Sequence, residues 1–195
     1  MKWAATICFA VVVAACGTSP SRPSSSVGLA CGEERWAVKT LSDRDAERVN
    51  LAGVAETTVG ELTSHPAHCG DAPDRRLYPE ELQSYELRGH VESVRLEDDH
   101  DYHVVLSDLI DRSTTMITEV VDPACEGAAS SPFVSMLRDA RIGFLNLFAG
   151  STATSLVGKV LRVRGVGFYD VNHGQTGRAR NCIELHPVLR TEVIQ

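Results

Sequence analysis

One amphipathic helix stands among strand-like segments in the second half of this 195-residue chain, and this order limits the folds open to it. Apolar residues recur there at spacings of three and four: Phe133, Met136, Leu137, Ala140, Phe144, Leu147 and Phe148. Ser130 or Ser131 can cap the helix, Pro132 suits its first turn, and Gly150 can end it. The pattern predicts a helix with one apolar face that must be covered by a sheet.

Five segments with strand-like patterns flank this helix. They span 85–96, 101–106 and 114–121 before it, and 157–169 and 183–194 after it. In the first segment the apolar phase shifts at Val94, as a bulged and strongly curved strand requires. Five strands with a helix between the third and fourth are the order of an OB-fold barrel, whose open end the helix plugs. We predict a mainly β protein with an OB-fold-like barrel over 85–195; a small open α+β sheet is the alternative.

Residues 31–84 carry mixed signals and predict an irregular N-terminal extension packed on the barrel. Residues 36–40 suggest a short strand, and 57–62 a second extended piece. Ser42 and Asp45 suggest a capping box for a brief helix through Leu51. The segments 65–66 and 71–74 have turn composition.

The amino-terminal residues 1–15 predict a signal peptide. The apolar run 3–15 is too short to cross a bilayer of about 30 Å. It closes as Val13-Ala14-Ala15-Cys16, which resembles the lipobox of bacterial lipoproteins. That resemblance implies a lipid on Cys16 and a place in the bacterial cell envelope, on the outer membrane or the outer face of the cytoplasmic membrane. Ordinary signal cleavage is the alternative. Residues 16–30 then form a flexible tether, because they are rich in Gly, Ser, Thr and Pro.

The chain has six cysteines. If Cys8 leaves with the signal and Cys16 takes the lipid, an even number remains: Cys31, Cys69, Cys125 and Cys182. In an oxidising compartment they predict two disulfides, with three pairings open. Pairing the first two and the last two closes the shorter loops.

Acids and imidazoles mark three of the predicted strands. Asp101 and His103 lie on the second strand, Glu119 on the third, and Glu184 and His186 on the fifth. Residues two apart on a strand share a face, and these strands are neighbours in an OB barrel. The five side chains can therefore converge into a set that suits zinc or another divalent ion. We expect a polar strand face turned toward solvent and predict no cofactor; the divalent metal site is the alternative.

Two further candidates lie in the glycine-rich loop before the last strand, where OB-fold proteins often contact ligands. They are His173 and Gln175. The alternative is a turn permitted by Gly174 and Gly177, in which the two side chains make local hydrogen bonds.

The net charge and the aromatic content of the chain bear on whether it binds nucleic acids. With 26 acidic and 19 basic residues the formal net charge is −7, and 6% of the chain is aromatic. Nucleic-acid binding needs clustered positive charge and stacking rings, so we expect no nucleic-acid partner. The common catalytic signatures of esterases, zinc proteases and P-loop enzymes are missing from the sequence.

Several segments together resemble a group of exported bacterial proteins. They are Glu97–His103, Met116–Glu119 leading to Asp122–Cys125, Gly165–Asp170, His173–Gly177 and Glu184–Pro187. The resemblance implies export and a shared fold, and it implies no reaction. We expect a lipid-anchored envelope protein with a non-catalytic binding or interaction module, whose partner is a small ligand or another envelope protein. The alternative is a metal-dependent hydrolase, a nuclease or phosphoesterase, that uses the His and carboxylate patch.

Overall fold

The computed structural model describes Met1 and residues 31–32, 34–70 and 72–195. The predicted signal peptide, Cys16 and the tether lie outside the described residues. Within the described ranges, no helix combines the length and apolarity needed to cross a membrane.

Six strands form one sheet that closes into a barrel. They are β1 Asn50–Glu56, β2 Gln83–Leu96, β3 Tyr102–Ser107, β4 Thr115–Val120, β5 Val160–Tyr169 and β6 Ile183–Val193. The order is β1-β2-β3-β4-β6-β5, and β2 also pairs with β5, which closes a five-stranded barrel. The predicted OB-like fold is confirmed, and β1 is an additional strand that pairs in parallel with the start of β2.

The bend in β2 makes the closure geometrically feasible. Its pairing with β3 slips between Val91 and Ser93, and the buried positions change phase from Leu87, Gly89 and Val91 to Val94. This is the predicted bulge. The first half of β2 thus pairs with β5 and the second half with β3.

Within the residues that the structure describes, three α-helices accompany the barrel: α1 Trp36–Lys39, α2 Val59–Leu62 and α3 Val134–Asn146. α3 is the predicted amphipathic helix, and its residues Leu137, Ala140 and Phe144 are buried. The Phe144 ring lies 5.1 Å from Tyr102 of β3 and 5.4 Å from Phe148. The helix therefore covers the barrel as its sequence pattern requires.

The extension differs from several predictions. Residues 36–40 contain the α1 helix rather than a strand, because their backbone bonds run from Thr40 N–H to the Trp36 carbonyl. The predicted helix through Leu51 is only a 3₁₀ turn over 46–48, followed by β1. Residues 57–62 hold α2, whose first turn is capped by the Thr58 hydroxyl accepting from the Glu61 N–H. Local propensity was overridden here by pairing and packing against the barrel.

The two predicted disulfides are confirmed, but the short-loop pairing is wrong. Cys31 bonds to Cys125 and Cys69 bonds to Cys182. Each bond joins the extension to the barrel domain, across 94 and 113 residues of sequence. The extension also packs an apolar cluster of Leu41, Ala46 and Val49 on Val166 of β5. It therefore covers part of the outer barrel wall.

Phe144→Ala should lower the free energy of unfolding by about 3–5 kcal/mol, because Phe144 is fully buried and its loss leaves a cavity. Ile142→Ala is the matched control on the same helix, since Ile142 is 51% exposed. Its effect should stay within about 0.5 kcal/mol. Urea unfolding with both disulfides intact measures the difference. Equal effects of the two substitutions would show that α3 does not plug the barrel.

Candidate functional site

A cleft of about 700 Å³ opens on the outer face of β3 and β4. Its walls are the start of the extension, the turn between β2 and β3, and the loop between β5 and β6. In OB-fold proteins the face of these two strands and these two loops form the usual ligand-binding surface. The cleft therefore lies on the surface where OB-fold proteins usually bind their ligands.

The cleft is strongly acidic. Seven carboxylates line it: Glu34, Glu97, Asp98, Asp99, Glu119, Glu126 and Asp170. Only Lys39 and Arg95 oppose them among the lysines and arginines of the lining. Arg95 already pairs with Glu97 at 3.3 Å, and Lys39 with Asp170 at 3.6 Å. The field in the cleft therefore favours a cation.

Four of the five predicted patch residues form a chain of contacts behind the cleft. Glu119 lies at its centre, with Oε1 2.8 Å from His103 Nδ1 and Oε2 3.2 Å from His186 Nδ1. The other ring nitrogen of His186 lies 3.4 Å from Asp101 Oδ2. Asp101 Oδ1 accepts the Asp122 N–H at 2.7 Å. The neighbouring order β3-β4-β6 brings these side chains together.

These side chains point away from the barrel interior, yet they are not solvated. Asp101 and His186 are 0% exposed, and His103 is 3% exposed. The expectation of a polar strand face turned toward solvent is therefore wrong for these residues. The loop 171–182 covers this face so closely that a Cβ on Gly177 would lie 2.4 Å from Val105 of β3. Lys39 of α1, together with Arg35 just before it, covers the neighbouring Phe168 ring.

The fifth patch residue, Glu184, is buried beside this chain rather than within it. It is 1% exposed, and its Oε1 has no hydrogen-bond partner. Burial, followed by the charges of Glu119 and Asp170, raises the pKa of Glu184 well above its ordinary value.

Lys39 supplies an ammonium next to these acids. Burial alone would lower the pKa of Lys39, but Asp170, Glu119 and Glu184 outweigh it and raise that pKa. The side chain is only 9% exposed, and Nζ lies 5.5 Å from the centre of the Phe168 ring. An ammonium of the extension thus helps to hold the extension on the acidic barrel face.

His103 and Glu119 belong to the buried chain of contacts and also line the cleft. Burial opposes the charged form of both groups. The charge of His186 and the hydrogen bond from His103 nevertheless lower the pKa of Glu119 to about 2. Burial likewise opposes, and Glu119 then raises, the pKa of His103. Both shifts favour an imidazolium of His103 hydrogen-bonded to the carboxylate of Glu119 at the floor of the cleft.

The predicted loop residues have different roles. His173 is half-exposed in the cleft, and its Nε2 lies 3.5 Å from Asp170 and 3.7 Å from Glu34. Gln175 donates from Nε2 to Asp170 Oδ2 at 2.8 Å and to the Val171 carbonyl. Gly174 and Gly177 both have positive φ, as the expected turn requires. His173 faces the cleft, whereas Gln175 positions Asp170.

Sequence reasoning missed the acids and the lysine that come from distant segments. Glu34 and Lys39 belong to an extension that the sequence left without assignment. Asp170 ends one of the resemblance segments, directly after β5, and that position was its only signal.

No protein-family model matches this chain, and no curated protein matches it.

Lys39→Met should lower the free energy of unfolding by about 3–5 kcal/mol, because it leaves buried carboxylates without their ammonium. Lys159→Met is the matched control, since Lys159 is exposed. Its effect should be within about 0.5 kcal/mol. Denaturant unfolding at neutral pH compares the two. If Lys39→Met is as stable as the control, Lys39 does not hold the extension in place.

Proposed function

We propose that this protein is a lipid-anchored protein of the bacterial cell envelope whose barrel is a non-catalytic binding module for a small cationic ligand. The ligand class is inferred from the excess of seven carboxylates over three groups of opposite charge in the same cleft: Lys39, Arg95 and His103, whose pKa is raised. Its volume of about 700 Å³ is in the ordinary range for small-molecule sites. Its position on the strand face and loops of an OB-like barrel adds support by analogy of fold.

The charge also bears on the alternative, a metal-dependent nuclease or phosphoesterase. A phosphate ester would have to approach seven carboxylates, and like charges at short range are unfavourable. Asp101 and His186 are fully buried, so they do not border the space that a substrate would occupy. The binding module therefore has the stronger support.

The class of ligand can be tested with spermidine as a cationic probe and AMP as an anionic one. Amide chemical shifts near residues 97–99 and 173–176 should move with spermidine and stay fixed with AMP. The double variant Asp98→Lys/Glu126→Lys reverses two exposed charges of the cleft. It should weaken spermidine binding by about tenfold or more at low ionic strength.

The matched control is Glu56→Lys/Asp139→Lys, which changes the net charge equally at exposed sites outside the cleft. It should weaken spermidine binding clearly less than the cleft variant does, since neither of its side chains lines the cleft. Tighter binding of AMP than of spermidine, or equal losses in both double variants, would contradict a cation site in the cleft.

The anchor is tested by expression in a bacterium that processes lipoproteins. Wild-type protein should partition into the detergent phase of a cloud-point separation, because acyl chains on Cys16 bury many methylenes. Cys16→Ala should move the protein to the aqueous phase, whereas Cys8→Ala should not, since Cys8 is expected to leave with the signal. Detergent partitioning that survives Cys16→Ala would rule out lipidation at this residue.

A further inference from the structure

The barrel face behind the cleft holds more buried acid than its cations balance. Asp101 and Asp170 are 0% and 5% exposed at the side chain, and Glu119 is 12% exposed. Glu184 is buried with them, and among the described residues Lys39 and His103 are the groups of opposite charge that contact these four acids at Asp170 and Glu119. Buried charges are normally paired or bound to a metal ion. The face therefore has capacity for a further cation.

The strongest sign of a ligand is at His186. Its ring is fully buried, and neither of its nitrogens has a hydrogen-bond partner of acceptable geometry. Asp101 Oδ2, equally buried, has none either. Buried polar atoms without partners are rare and call for a physical reason. Here two of them face each other across 3.4 Å, from His186 Nε2 to Asp101 Oδ2.

That separation is longer than an ordinary hydrogen bond and is compatible with two ligands of one metal ion. Nitrogen-to-oxygen hydrogen bonds cluster near 2.9–3.0 Å. Nitrogen and oxygen ligands of zinc lie at about 2.0–2.1 Å from the ion, so two ligands of a tetrahedral site lie roughly 3.3–3.4 Å apart. One donor atom each from Asp101, Glu119 and His186 lie within 4.8 Å of one another.

We propose that Asp101, Glu119 and His186 bind one divalent transition-metal ion, such as Zn²⁺ or Mn²⁺, behind the cleft wall that Glu119 forms. His186 supplies one ring nitrogen and the two carboxylates supply oxygens, a donor set suited to these ions. This inference specifies a divalent metal ion as the cation of the proposed function. It rests on that function because the ion would enter through the acidic cleft, where Glu119 both lines the cleft and belongs to the triad.

The ion would connect three parts of the barrel next to the short strand pairing between β4 and β6. Asp101 precedes β3, Glu119 lies on β4 and His186 on β6. The parallel pairing of β4 with β6 has only two registered residue pairs, Ile117 with Glu184 and Thr118 with Leu185. A bond from each side to one ion would strengthen this contact, so binding should stabilise the fold.

The test is a titration of EDTA-treated full-length protein with Mn²⁺, followed by NMR line broadening. The signals of Asp101, Glu119 and His186 should broaden first and with about one equivalent of ion. Zn²⁺ at about a hundredfold above its dissociation constant should raise the melting temperature by roughly 5–10 °C. Asp101→Asn keeps the side-chain shape and should weaken Mn²⁺ binding by about tenfold or more.

Glu56→Gln is the control, because Glu56 is exposed and lies outside both the cleft and the triad. It should retain the broadening at His186. Since the wild-type titration needs no substitution, the proposal stays testable if Asp101→Asn fails to fold.

Broadening that starts at His173 and Glu34 would overturn the proposal, because the ion would then bind the second acidic cluster at the cleft mouth. Spermidine binding without any Mn²⁺ effect would overturn it while leaving the proposed function intact. Failure of both probes would overturn the metal site and the cation cleft together.

Discussion

The packing of the N-terminal extension and the loop 171–182 over the outer barrel wall is the constraint on which the rest of the structure depends. Two disulfides tie the extension down, and buried ion pairs of Arg35 with Glu81 and Arg76 with Asp43 fix its internal shape. An OB-like barrel ordinarily leaves this strand face open for a ligand. Here the extension and the loop bury most of that face, and an acidic cleft remains beside it.

This buried face is polar, which explains its unusual composition. The barrel core on the other side of the sheet is apolar, with Val104, Leu106 and Leu185 among its members. Alternate residues of the same strands, His103 and Glu184, lie on the buried face instead. Strand alternation thus separates an apolar core from a buried layer of acids and imidazoles. A buried charge is costly unless it is paired, so this layer is maintained against a stability penalty and is the natural place to look for function.

Local sequence patterns were sufficient for the barrel and for the polar face. The phase shift at Val94, the three-and-four spacing up to Phe148 and the pairs Asp101 with His103 and Glu184 with His186 all depend on backbone periodicity alone. The extension was read poorly because its elements are short. A four-residue helix such as α1 has little propensity of its own and exists because of what it packs against.

The sequence by itself determined which residues share a strand face, since side-chain alternation is a property of the backbone. Together with the expectation of export, the sequence also predicted that four cysteines form two disulfides. Only the tertiary structure decided which cysteines pair, that the polar face is buried, and that Lys39 and Asp170 meet there. Those outcomes depend on contacts between segments more than 90 residues apart, such as Cys31 and Cys125, and no local pattern encodes them.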